Sequence, residues 1–259
     1  MEPSNLKEIH DSFAVQAPNF EHFSMSFSKK EFLDYTVSRI SPCANDGALE
    51  VAAGTCACGR ALAPRVGTMT CLDITPAMLE TGKRNAEQEN LRNMVFVKGN
   101  AEELPFLDAS FDIALSRLAF HHFPDIKRPF AEMVRVLRPG GKLALIDMEA
   151  AKEELRARED GIEAMRDPAH VRNLSGEELT ALFTAHGLCV KLYEKTEIPV
   201  SLNSWLELTK TPAPVRERIK DLLRAELGGG EKTGFAPYWK GSEIFFRQRW
   251  ILILGIKPL

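Results

Sequence analysis

The sequence predicts an α/β protein: a doubly wound, mostly parallel sheet of seven strands with helices on both faces. Two observations carry this. From Gly47 onward, short β-branched and apolar runs alternate with helical patterns. Helix-start and helix-stop signals fall between those runs, at Thr75–Pro76 and at Arg138–Gly141. The chain has 259 residues, 44% of them apolar. That is ample for a full core without disulfide staples.

The elements follow in order. Residues 1–45 read as a helical cap, with Phe13, Phe20, Phe23, Phe27 and Phe32 supplying aromatic bulk. Ala48 to Ala53 form the first strand, closed by a turn of small residues, and Thr68 to Ile74 the second. A helix then runs to about Asn90; Thr75 offers a hydroxyl to its free N–H groups and Pro76 suits its first turn. Asn93–Gly99 and Phe111–Ser116 are the third and fourth strands. Phe130, Met133, Val134 and Leu137 recur at helical spacing until Pro139 and the glycines after it stop the helix. Lys142–Met148 is the fifth strand. A charged helix (Ala151 to Met165), a second helix (Gly176 to His186) and a strand (Leu188 to Val200) come next. Residues 201–241 read as inserted helices, broken at Pro212, Pro214 and Gly228–Gly230, and Glu243–Lys257 as a long final strand. The predicted division is therefore a cap (1–45), a central domain (46–200 with 242–259) and an insertion that can serve as a lid (201–241).

Composition narrows the function. A net charge of −3 argues against a broad nucleic-acid surface. No apolar run approaches the roughly 20 residues of a membrane helix. The first residues lack the basic-then-apolar order of a signal peptide, so a cytoplasmic location is expected. Five scattered cysteines, Cys43, Cys56, Cys58, Cys71 and Cys189, read as reduced thiols; the Cys56-x-Cys58 pair has no second pair at ligand spacing, and no metal is expected.

The chemistry concentrates at the ends of the early strands. In Ala48–Arg60, Gly54 stands between a strand and a helix, where backbone N–H groups can approach a ligand. Asp73 ends the second strand 19 residues later, where a carboxylate can accept from both hydroxyls of a ribose. The competing structural roles are a turn glycine and a carboxylate at a helix start. His121 and His122 follow the fourth strand, on the edge that open α/β sheets present to ligands. Either can accept a proton near neutral pH; otherwise one caps the Pro124–Asp125 helix start and the other packs. Arg166, His170 and Arg172 lie in RDPAHVRNLS, where two arginines can hold an anion. Its end, from Asn173, reads instead as a connector leading to a capping box, Ser175 to Glu178. Phe235–Trp239, with Tyr238, could line an aromatic acceptor pocket or simply pack.

The order LEVAAGT, LDITPAML, GNAEELPF, FDIALSRLAFHHFPD, EMVRVLRPGGKLAL resembles the class I S-adenosylmethionine-dependent methyltransferases, and within them the branch of the ubiquinone and menaquinone biosynthesis enzymes. The resemblance implies a Rossmann-like methyltransferase fold and S-adenosylmethionine as cofactor, leaving as S-adenosylhomocysteine. It implies that Glu50, Ala52, Gly54 and Thr55 face the methionine part. Asp73 would take the ribose, with Ile74 and Met78 against the adenine and Asn100 and Ala101 at its edge. Ser116 and Arg117 would sit beneath the sulfonium. Ala52 and Cys56 replace usual glycines and Asn100 a usual aspartate. S-adenosylmethionine carries no phosphate, so small side chains in the turn are tolerable, whereas a dinucleotide would need the lost glycines for its pyrophosphate. Asn100 can still accept a hydrogen bond, though a weaker one than a carboxylate accepts. The implied activity is in-line methyl transfer to oxygen or carbon of a small molecule. HHFPD lacks the N/D-P-P-Y/F motif of enzymes acting on base or glutamine nitrogens. The alternatives are a non-catalytic protein that keeps the fold as a sensor or scaffold and, less favoured, an RNA or protein methyltransferase.

Overall fold

The computed structural model describes residues 6–17, 20–21 and 28–259. Phe23 and Phe27 lie outside the described residues. Two helices open the chain, α1 (Leu6–Gln16) and α2 (Lys30–Ile40). Then come β1 (Gly47–Val51), α3 (Ala57–Leu62), β2 (Thr68–Asp73), α4 (Pro76–Gln88), β3 (Met94–Lys98) and β4 (Phe111–Arg117). The second half comprises α5 (Lys127–Val136), β5 (Leu137–Met148), α6 (Glu153–Arg166), α7 (Gly176–Ala185), β6 (Cys189–Ser201), α8 (Leu202–Leu208), α9 (Ala213–Leu227), β7 (Tyr238–Lys240) and β8 (Glu243–Ile256).

The sheet runs β3-β2-β1-β4-β5-β8-β6. Neighbours among β1 to β5 are parallel, and β8 is antiparallel to both β5 and β6. The seven-stranded path matches the sequence reading. An eighth strand, β7, was not foreseen: its three residues pair with the start of β8, so the segment before the last strand is not helical throughout.

Uninterrupted apolar strands reflect burial on both faces. Ile113 and Leu115 of β4, Ala144 and Ile146 of β5 and Leu252 of β8 pack with α2, α3, α8 and α9. The alternate residues Ala114, Leu143, Leu145, Ile251 and Ile253 pack with α5 and α7. On α5, Phe130, Met133 and Val136 are fully buried; enclosing a side chain such as Phe130 contributes about 1.5–3 kcal/mol. Ser175 and Glu178 form the expected capping box at the start of α7. Thr75 does not cap α4 with its hydroxyl as expected. Its backbone N–H instead donates to Asp73, 2.8 Å away, and its carbonyl accepts from Met78.

Because β1 turns toward β2 and then β4 on its two sides, the chain reverses direction across the sheet between β1 and β4. Open sheets form their ligand crevice at the carboxyl ends of the strands at such a point.

Candidate active site

A cavity lies at that crevice, about 170 Å³ of it open to the centre of a water molecule. Its floor is the ends of β1, β2 and β4 with the turns after them. Helices α1 and α8 wall the opposite side, through Ile9, Phe13 and Gln16 on one and Trp205 and Leu208 on the other.

The turn after β1 keeps a glycine-like path without the glycines. Ala52, Gly54 and Cys56 all take positive φ, at 53°, 53° and 59°. A left-handed backbone costs an L-residue roughly 1–2 kcal/mol, so Ala52 and Cys56 hold local strain. The path aims the Gly54 N–H at Asp73 Oδ2, 2.7 Å away. Asp73 is buried against the cavity and keeps acceptor capacity on both oxygens beyond the Gly54 and Thr75 N–H groups. Burial raises its pKa despite those donors. Glu50, on β1, is also buried and lines the cavity. Its Oε2 accepts from the Gly59 N–H at 2.7 Å. Burial pushes its pKa up to about 7, against the pull of that N–H and of Arg117. Gly59 is a site residue that sequence reading missed. A Cβ there would stand 2.7 Å from Glu50 and 2.5 Å from Cys71 Sγ, so only glycine lets α3 start this close. Thr55 Oγ1 is buried in the cavity wall, with no hydrogen-bond partner among the described residues.

At the end of β4, Leu118 takes a left-handed φ of 56° and leads into the turn Phe120–His122. Both histidines are buried and line the cavity. Neither caps the following helix; the Lys127 N–H goes to Asp125. The His121 Nδ1–H donates to Asp147 Oδ1 at 2.5 Å. Burial lowers the His121 pKa, but Asp147 outweighs it and the net shift is upward. The His122 Nδ1–H donates to the Ala169 carbonyl at 2.9 Å, and the Phe13 ring meets its ring edge-on at 5.0 Å. Burial, with His121 beside it, lowers the His122 pKa to about 3. Sequence reading also missed Asp147, although an acid ending a core strand was a visible signal.

Of the other expected site residues, Ala52, Ile74, Asn100, Ala101, Arg117 and Arg166 line the cavity. The Asn100 side-chain oxygen already accepts from the Glu102 N–H at 3.0 Å. Five expected residues lie elsewhere. Met78 is fully buried in α4 and does not line the cavity. Ser116 precedes Arg117 on β4 and so faces the opposite side of the sheet. His170 turns to Asp160, 3.0 Å away, and Arg172 to Glu178 at 2.6 Å. Tyr238 stacks on the hairpin with Phe245 and under Arg247. The pair of arginines expected to hold an anion is thus not assembled. Arg166 itself lies over the Trp205 ring at 4.6 Å, beside Glu163 and Asp167. Phe235 packs against Trp205 and Phe246 rather than lining the cavity.

Chemically, the cavity joins a carboxylate-rich floor to a mainly apolar wall. Glu50, Asp73, Glu21 and Asp167 line it, against the cations Arg117 and Arg166. Such a site favours a ligand with cationic and hydroxyl groups over an anion.

Residues 49–145 match the methyltransferase domain family. Over 233 residues the chain is 32% identical to the uncharacterized methyltransferase YcgJ of Bacillus subtilis, spanning 89% of this chain and 92% of that one. The crystal structure of YcgJ superposes with a TM-score of 0.80 over 88% of this chain and 98% of YcgJ, at 30% identity. A demethylmenaquinone methyltransferase of Listeria monocytogenes is 30% identical over 153 residues, 57% of this chain and 65% of the relative. Phosphoethanolamine N-methyltransferase 2 of Haemonchus contortus, solved in complex with S-adenosyl-L-methionine, shares the fold, with a TM-score of 0.66 and 15% identity over 98% of this chain and 59% of that one.

Proposed function

The chain belongs to the S-adenosylmethionine-dependent methyltransferases, and on that footing we propose that its cavity binds S-adenosylmethionine and directs methyl transfer to oxygen or carbon of a small molecule. The observation that carries this reading is the Asp73 carboxylate, buried at the cavity edge and braced by the Gly54 N–H.

The residues present fit the cofactor. Asp73 offers free acceptor positions to two ribose hydroxyls. Ile74 and Ala101 give an apolar slot for the adenine, with Asn100 at its edge. Glu50 suits an ammonium group, because a nearby cation stabilises its ionised form. The orphaned Thr55 hydroxyl can donate to a carboxylate. When bound, S-adenosylmethionine supplies a methyl group already activated on a sulfonium, and the sulfur leaves as a thioether. The protein's own work is to align the acceptor with that methyl and to exclude water, which can contribute roughly 7–11 kcal/mol. Helices α1 and α8 cover the acceptor side and serve as the lid.

A small-molecule acceptor accords with a cavity walled by Ile9, Phe13, Trp205 and Leu208. The net charge of −3 gives no general attraction for nucleic acid, and no described helix is long and apolar enough to cross a membrane. Calorimetric titration tests the cofactor: S-adenosylhomocysteine should bind one to one, and excess NAD should not displace it. Competition by NAD would point to a dinucleotide site instead.

A further inference from the structure

We propose that Gln16 selects the methyl acceptor: its side-chain oxygen accepts a hydrogen bond from an O–H or N–H group that the acceptor must carry. The inference rests on the methyltransferase reading above and names a substrate class for that same cavity.

Ile9, Phe13 and Gln16 recur at steps of four and three, so they form one stripe of α1, and all three line the cavity. The stripe is apolar until its last member. Gln16 is only 2% exposed, and an amide is costly to bury unless it is hydrogen-bonded. Half of it is. Its Nε2 donates to Ser12 Oγ at 2.9 Å and approaches Asp167 Oδ2 at 3.5 Å. Those partners decide which way the amide is turned. An ionised carboxylate only accepts, and the Ser12 hydroxyl gives its own proton to Asp167 Oδ1 at 2.9 Å, so both must face the NH2 group. Asp167 is itself held by the Ala169 N–H at 3.0 Å. With Nε2 committed to them, the polar group that Gln16 leaves for the cavity is Oε1, which accepts no hydrogen bond among the described residues.

The charged neighbours do not supply the missing donor. Asp167, which also lines the cavity, is another acceptor. The guanidinium of Arg166 is turned to Glu163, Asp167 and the Trp205 carbonyl. A ligand that brings its own hydroxyl or N–H satisfies Oε1, whereas one of the same shape without a donor leaves that oxygen buried and unpaired. Sites of this kind discriminate against the analogue that lacks the donor. Ile9 and Phe13, on the same stripe, take the apolar part of the acceptor. The class is therefore a small apolar molecule that carries a hydrogen-bond donor.

The test uses phenol and toluene, which share a shape and differ in one donor, titrated by NMR into the full chain saturated with S-adenosylhomocysteine. Wild type should bind phenol about threefold or more tightly than toluene, as one net hydrogen bond gives. Phenol, and not toluene, should shift the Gln16 side-chain NH2 signals. In Gln16→Met, which keeps the length and loses the amide, the preference should vanish while toluene binds no more weakly than in wild type. A Gln16 that merely ties α1 to Asp167 predicts instead that both probes weaken together, and that result overturns the proposal. So does a wild type with no preference for phenol, absence of binding included, or a preference kept in Gln16→Met. The NH2 signals need no variant, so the test survives if Gln16→Met does not fold; the same shift with both probes, or with neither, also overturns the proposal. Calorimetry on wild type keeps the two readings apart, because failure to bind S-adenosylhomocysteine would remove the methyltransferase reading itself.

Discussion

Single side chains carry the site's electrostatics, and Glu50 gives the sharpest consequence. Its pKa stands near 7 because burial disfavours its charge. A cationic ligand favours the ionised form, so binding must release a proton wherever Glu50 is protonated beforehand. The affinity for S-adenosylmethionine should therefore rise with pH, by up to about tenfold per unit below pH 7, and level off above it. In Glu50→Gln the plateau affinity should drop and this pH dependence disappear. Calorimetry at several pH values checks both. Asp73 was marked in the sequence by its place at the end of the second strand, 19 residues after Gly54, and Glu50 only by the family resemblance; both line the cavity. Ser116 was misplaced because strand alternation sends it to the face opposite Arg117. His170 and Arg172 were misplaced because Asp160 and Glu178, from neighbouring helices, claim them. Pattern reading does not reveal such partners.

At the scale of elements, close packing of helices onto the β1 turn sets the cavity floor. A Cβ at Gly82 of α4 would stand 2.7 Å from the Thr55 carbonyl and 2.9 Å from Cys56 Sγ. Gly82→Ala should cost about 1–3 kcal/mol, as overpacking does, read as a lowered melting temperature. It should also weaken cofactor binding, because the turn that carries Gly54 must shift. On the opposite wall, α1 is tied down by Ser12, whose hydroxyl donates to Asp167 at 2.9 Å, and by Gln16. Its Phe13 faces His122 and the cavity. Phe13→Ala removes apolar wall worth about 1.5–3 kcal/mol. The acceptor KM should then rise roughly ten- to hundredfold while S-adenosylhomocysteine affinity stays within about twofold. A matching loss of cofactor affinity would contradict the assignment of α1 to the acceptor side. The strands of the sheet were legible because core strands read as unbroken apolar runs. The short β7 was not, because its three residues, Tyr238 to Lys240, are half-buried or exposed and leave no such run.

For the whole molecule, the same buried carboxylate links function to stability. Glu50 titrates near 4.5 in the unfolded chain and near 7 in the folded one. The folded state thus binds the extra proton, and ionising Glu50 destabilises it. Relative to Glu50→Gln, ligand-free wild type should lose stability as pH rises from about 4.5 to about 7 and stay constant above that. Denaturant unfolding across that window checks the sign. The sheet order brings β1, β2 and β4 together, so that Glu50, Asp73 and Arg117, distant in sequence, share one crevice with the histidine turn. The claim on which the account turns is that this crevice grips S-adenosylmethionine through Asp73. Dissociation constants of S-adenosylhomocysteine for wild type, Asp73→Asn and Asp73→Ala test it most directly. Hydrogen bonds to a charged acceptor contribute about 1.5–3 kcal/mol each, so losing two should weaken binding by at least about a hundredfold in Asp73→Ala, with Asp73→Asn between. Equal affinity in all three folded proteins would contradict it.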